Sequence, residues 1–140
     1  EKDKLINQIK SEMVLSRFID DDRYAETKIR TIRRQGGSKR LIFAKLNEKG
    51  ISKDVIQSAL NIVDENHENA EIIAAVNFIK KKNIGVFYKN KKIGNEIDSY
   101  TLKDKWYGAL ARRGFSLEIV KKVLDIEDIN NAHLILEGKI

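Results

Sequence analysis

Asp20-Asp21-Asp22 is the densest cluster of reactive side chains in this sequence. Clustered carboxylates can hold a divalent cation and serve a phosphodiesterase. Acids placed just before an apolar-periodic stretch can also cap a helix and complement its dipole. Capping needs no partner elsewhere in the chain, and it is the role expected here. The two histidines, His67 and His133, stand in an acidic junction and in the C-terminal tail, neither near a spaced partner. No Gly-rich loop follows a strand pattern, and no nucleophile is set beside a base. With no cysteine there are no disulfides and no thiolate metal sites, which suits a reducing cytoplasm. The expectation is a protein that is not an enzyme, with no catalytic residue, no metal and no cofactor.

What remains is the chemistry of positive charge. The 140-residue chain has a formal net charge of +6, and the charge is segregated. Residues 23–50 carry nine Lys/Arg against two acidic residues, and residues 80–113 carry ten against three. The blocks 1–22, 51–79 and 114–140 come to −2, −4 and −2. Such a footprint attracts nucleic acid, although solvated helix faces also produce charge runs. Arg23, Arg30 and Arg34 share one helical stripe, about 150° around from Ala25, Ile29 and Ile32 at roughly 100° per residue. The docking surface read from the sequence is Arg23, Arg30, Arg34, Lys39, Arg40, Lys45, Lys49, Arg112 and Arg113. Such side chains neutralise phosphates with little sequence preference and release counterions. Acidic protein groups would suit them equally. Trp106 and Tyr107 offer rings for base stacking, but their alignment with Ile42 and Phe43, described below, favours a core role.

The elements that must carry these side chains are helical. The chain is 41% hydrophobic, 34% charged and free of proline, the main helix breaker. No apolar run approaches a membrane span, and nothing at the start resembles a signal peptide. The chain begins at Glu1 rather than Met, so its natural start is expected upstream. Apolar residues recur at helical spacing from Leu5 to Phe18, and the aspartates then predict a boundary and an N-cap. A helix from Arg23 to about Gln35 ends at Gly36-Gly37. Ser38 caps the next, over about 39–49, and Gly50 stops it. Ser52 caps a third, with Val55, Ile56, Ala59, Leu60 and Val63 on its apolar face. A second unit starts near Asn69 with a helix ending in Lys80-Lys81-Lys82. The stretch from Ile84 to Tyr100, which includes Phe87, Tyr88, Lys89 and Lys91, predicts a long surface loop with room for a short ribbon. Helices resume over about 102–113 and from Leu117 to about Ile126, leaving Asn130 to Ile140 unassigned.

These elements repeat. Gly50-Ile51-Ser52, followed by apolar residues at 55, 56, 59 and 60, matches Gly114-Phe115-Ser116, followed by Ile119, Val120, Val123 and Leu124, at a displacement of 64. Ile42, Phe43 and Leu46 align with Trp106, Tyr107 and Leu110 at the same displacement. The first helices align at a shift of 45, Ala25-Glu26 on Ala70-Glu71, and the 19-residue difference is the irregular loop. Leu5, Ile6, Ile9 and Met13 match the third helix of an earlier copy. The expected fold is all-α: tandem three-helix repeats stacked into an elongated or curved array. Residues 1–19 form the third helix of a truncated first repeat and 20–65 a three-helix repeat; 66–126 is another with a basic insertion at about 83–101, and 127–140 is a tail. A single compact bundle with fortuitously shared caps is the alternative.

The sequence resembles the RecX family, bacterial modulators of the RecA recombinase. The resemblance rests on Phe18-Ile19-Asp20-Asp21-Asp22-Arg23-Tyr24-Ala25-Glu26, on Gly50-Ile51-Ser52 with its helix, and on Ala111-Arg112-Arg113-Gly114-Phe115-Ser116 with Val123-Leu124. It covers about residues 5–126. It implies tandem three-helix repeats and binding in the groove of a RecA–DNA filament, which the protein inhibits or disassembles, with contact to single- or double-stranded DNA in some members. It brings no catalytic motif. The implied protein is a non-enzymatic negative regulator, monomeric and cytoplasmic, with no membrane partner. Two readings from other classes compete. A helix-turn-helix DNA reader would use the helix from Ser52 to Val63, where Gln57, Asn61 and Lys53 are a poor set for base edges. A plain protein-interaction scaffold would bind neither DNA nor filament.

Overall fold

The computed structural model describes residues 2–65, 69–89 and 99–139, with side chains described over 4–9, 20–65, 69–89 and 100–139. Helix α1 spans Lys2–Arg34, α2 Lys39–Glu48, α3 Lys53–Val63, α4 Ala70–Lys82, α5 Ser99–Arg112, α6 Leu117–Leu124 and α7 Ile129–Leu136. A single 3₁₀ turn, Gly85–Phe87, follows α4. There is no strand among the described residues, and no helix there is long and apolar enough to cross a membrane.

The apolar side chains form two separate cores. Ala25, Ile29 and Ile32 of α1 pack with Ile42 and Leu46 of α2, and with Ile56, Ala59 and Leu60 of α3. The second core joins Ala74, Val76 and Ile79 of α4 with Leu110 of α5, Val120, Val123 and Leu124 of α6, and Ala132 of α7. Removing each fully buried Leu or Ile from water contributes about 1.5–3 kcal/mol, so helices of eight to fourteen residues, marginal alone, hold together only within their unit.

The repeat is visible as geometry. At Gly50 (φ +84°) and Gly114 (φ +97°) the chain turns left-handed after a helix. The next residue then donates its N–H back five residues, Ile51 to Leu46 at 3.1 Å and Phe115 to Leu110 at 3.2 Å. Both following side chains are buried, the hydrophobic contact that accompanies this helix end. Ser52 then accepts from the Val55 N–H and Ser116 from the Ile119 N–H. The motif thus stops one helix, seats an apolar plug and starts the next. The matched pairs Leu46/Leu110, Ile56/Val120, Ala59/Val123 and Leu60/Leu124 are all buried. Ile42 and Trp106 differ: the first is buried, the second half-buried against the rim of its core.

Three expectations are corrected. First, α1 runs unbroken through Asp20-Asp21-Asp22, so these residues cap nothing. No Gly or Pro interrupts the segment, and an Asp inside a helix costs at most about 0.7 kcal/mol, with Asp20 and Asp22 exposed to solvent. Second, the stretch after α4 is not simply a surface loop, because Ile84 and Phe87 are buried in the second core. Lys91 and the rest of residues 90–98, including any ribbon there, lie outside the described residues. Third, the unassigned tail contains α7, which buries Ala132 and sets the His133 ring edge-on to Phe87 at 5.7 Å.

Candidate polyanion-binding surface

The end of α1, the start of α2 and the start of α4 meet where the two units join, and a small set of polar groups locks them. Arg33 donates from Nη2 to Asp64 Oδ2 and from Nη1 to Glu71 Oε2, each at 2.7 Å. Burial alone pushes the Arg33 guanidinium down, but hydrogen bonds and charge from Asp64 and Glu71 outweigh it and hold the group above its ordinary value. Glu71, on α4, also accepts the Lys39 N–H at the first residue of α2, 3.1 Å from each carboxylate oxygen. A carboxylate there satisfies an orphan donor and complements the helix dipole.

A second clasp comes from the end of α5. Ser38 is fully buried; its hydroxyl accepts from the Leu41 N–H and donates to the Arg113 carbonyl at 2.7 Å. The Arg113 guanidinium in turn donates to the Gly36 and Gln35 carbonyls, both at 3.3 Å. It lies 5.6 Å from the centre of the Phe78 ring. These contacts serve the unpaired carbonyls at the end of α1. They also fix the direction in which one unit follows the other.

Most of the cations named from sequence stand free of this lock. Arg23, Arg30, Arg34, Lys39, Arg40, Lys45, Lys49 and Arg112 are exposed, and Ala25, Ile29 and Ile32 are buried on the opposite side of α1. At the junction Arg40 stands beside the α5–α6 turn, since a Cβ on Gly114 would meet Arg40 Cβ at 3.3 Å, while Arg30 and Arg34 face the first turns of α4 and the end of α7. Arg112 folds back over Gly108 of its own helix. Arg23 lies about 10 Å along the axis from Arg30, seven residues at roughly 1.5 Å each. Lys45 is not brought to that side, being turned by about 140° from Arg40 around α2 at roughly 100° per residue. Arg113 is half-buried, with its Nε and Nη2 donating into the junction.

Arg33 is the residue that the sequence reading passed over. On the helical wheel it falls between the basic row and the apolar stripe, which is a legible sign of a half-buried position. Its partners, 31 and 38 residues away, are not legible. Elsewhere, Trp106 and Tyr107 pack against the second core and Tyr88 meets Trp106 edge-on at 5.4 Å, in keeping with the core role. Gln57 donates to Asn61 at 2.8 Å along α3, so two polar groups of the alternative recognition helix already satisfy each other. Among the described residues no three His, Asp or Glu side chains gather as a metal site.

Fold and junction together define an all-helical tandem-repeat protein, two cored units clasped end to end with cations held along the join. Comparison with known proteins gives the family. The model of the RecX second three-helix domain matches residues 20–60, and that of the RecX third three-helix domain matches residues 89–124. The Myxococcus xanthus regulatory protein RecX is 33% identical over 120 residues, covering 86% of this chain and 60% of the relative. Its Agrobacterium fabrum counterpart is 34% identical over 106 residues, covering 76% and 51%. A Clostridium botulinum regulatory protein RecX is 30% identical over 113 residues, covering 76% and 46%. No solved structure matches the chain at a significant level. The chain belongs to the RecX family, and it spans about half the length of the curated relatives that it matches.

Proposed function

We propose that this chain is a non-enzymatic negative modulator of the RecA recombinase, acting by docking on the RecA–DNA filament. It works in the cytoplasm as a monomer, without cofactor. The observation that carries the reading is the exposed group Arg30, Arg34, Lys39 and Arg40 at a junction clasped by Arg33, Glu71, Ser38 and Arg113. Cations on a rigid join keep fixed separations, which suits a helical polymer whose own charges repeat at fixed separations. The clasp orders the backbone beneath these cations before docking, so that only their side chains remain to be ordered on binding. Arg23 and Arg112 extend it along α1 and α5 and supply sequence-independent contact to DNA phosphates, while Lys45 and Lys49, turned away from Arg40 around α2, offer phosphate contacts on a separate side. In the same reading Leu5, Ile6 and Ile9, exposed on the N-terminal half of α1, belong to the third helix of an earlier repeat.

The test is reversal of two charges. A chain carrying Arg30→Glu and Arg34→Glu should lose filament affinity by at least about tenfold at low salt while keeping the helical circular dichroism of the unaltered chain. Undiminished binding of that variant refutes the proposed face. Affinity of the unaltered chain for the coated filament should exceed its affinity for random DNA. One preferred duplex sequence would instead favour a base reader, and indifference to both would leave a scaffold.

A further inference from the structure

Beside the clasp lies a cleft of about 400 Å³, walled by the last turns of α1 and α3, the first turns of α4, and the end of α7. Its floor is aliphatic: Val63, Ala70, Ile73, Ala74 and Leu136. On the α1 side stand Arg30 and Arg34, one helical turn apart and exposed. Arg34 bonds only within its own helix, to Thr31 at 3.4 Å, and Arg30 has no ion-pair partner among the described residues. Arg33 also lines the cleft, and its Nε is buried without a hydrogen-bond partner among the described residues. The acidic groups of the cleft already have cationic partners, Asp64 in Arg33 at 2.7 Å and Glu137 in Lys139 at 3.2 Å.

We infer that this cleft receives a segment of protein, an acidic peptide that seats one or two aliphatic side chains on the floor and places a carboxylate on Arg30 and Arg34. The inference rests on the filament-docking reading and deepens it, since it makes the partner at these two arginines the protein component of the filament rather than its DNA. Three observations separate the two occupants. The floor has no aromatic ring on which a base could stack, and stacking supplies much of the affinity for exposed bases. The phosphates of a nucleic-acid strand would set charged oxygens against an aliphatic surface, whose burial rewards apolar groups. The cations of the cleft all stand on its α1 side, whereas a phosphodiester strand is negative along its whole length. A peptide can place its acid on one side only. The volume lies in the ordinary range for a pocket that anchors a few side chains, roughly 300–1,000 Å³.

The experiment fills the cleft without touching a charge. Asn77 and Ala70 both line it and are half-buried, so Asn77→Trp occupies its volume and leaves Arg30 and Arg34 in place. Ala70→Met, a milder filler in the first turn of α4, serves should the tryptophan unfold the chain, as a thermal melt would report. Binding is measured to the RecA–DNA filament and, separately, to bare DNA over a salt series. The filled variant is expected to bind the filament about tenfold or more weakly and to bind bare DNA as the unaltered chain does, with the same salt slope. Two results overturn the cleft. One is filament affinity unchanged in a folded filled variant; the other is an equal loss on bare DNA, which makes the occupant nucleic acid. Failure of the unaltered chain to bind the filament overturns the docking reading itself, and this inference with it.

Discussion

The turns at Gly50 and Gly114 are built alike and work differently. Each has a left-handed glycine, a buried apolar residue and a serine cap. A Cβ on Gly50 would meet nothing within 4 Å, whereas one on Gly114 would overlap Ser38 Oγ and press on Arg40. The first turn only ends a helix. The second also forms the seat on which the preceding unit rests. A repeated motif therefore fixes the shape of each unit, while contacts unique to one copy fix how the units follow each other. If the chain docks on a polymer as proposed, those second contacts are what set the spacing of its cations.

The comparison is broken most severely at the clasp. Arg33→Met leaves Asp64 and Glu71 facing each other half-buried without their cation. It should cost about 2–4 kcal/mol in a urea melt, in the manner of a buried pair that loses one partner. A loss comparable to that of an exposed surface pair, under about 1 kcal/mol, would remove the clasp from the account. Because burial and the two carboxylates together leave the guanidinium above its ordinary value, its contribution is whole below the unfolded value. It fades only as pH climbs through the still higher folded one, so between about pH 6 and pH 9 the Arg33 side should add no pH dependence.

Next comes the glycine pair. Gly50→Ala should cost about 1–2 kcal/mol, the penalty of a left-handed alanine. Gly114→Ala should cost about 2–4 kcal/mol, because crowding adds to that penalty. Equal losses would mean that the second turn has no duty at the junction. The smallest effect sharpens the same contrast at the caps. Ser52→Ala removes an exposed cap and should cost about 0.5–1 kcal/mol. Ser38→Ala also strips a buried partner from the Arg113 carbonyl and should cost about 2 kcal/mol, which paired thermal melts can resolve.

Much of the fold was legible because its signals are local. Gly-x-Ser followed by apolar residues at fixed offsets describes a backbone conformation, a plug and a cap, all set within a few residues. The basic row of α1 was legible for the same reason, since helical periodicity alone places Arg23, Arg30 and Arg34 opposite Ala25, Ile29 and Ile32. The aspartates misled because a capping residue is recognised by type, whereas whether a helix stops depends on there being something to stop it. Helix α7 escaped because eight residues bearing one fully buried side chain, Ala132, give too little periodicity to read. The candidate site was half legible. Exposure of eight cations followed from pattern, but the withdrawal of Arg113 into the junction follows from the position of Gln35 and Gly36, far away in sequence.

Taken alone, the sequence determined most of the elements, their apolar faces and the kinship of the two units, because hydrophobic period, caps and left-handed glycines act over one or two turns of chain. Tertiary structure alone decided which charges are spent and which are free. Arg33 and Arg34 are adjacent residues of one type, yet one is locked between Asp64 and Glu71 while the other stands in solvent at the mouth of a cleft. Charge interactions depend on distance and burial, and neither is set until helices remote in sequence have packed.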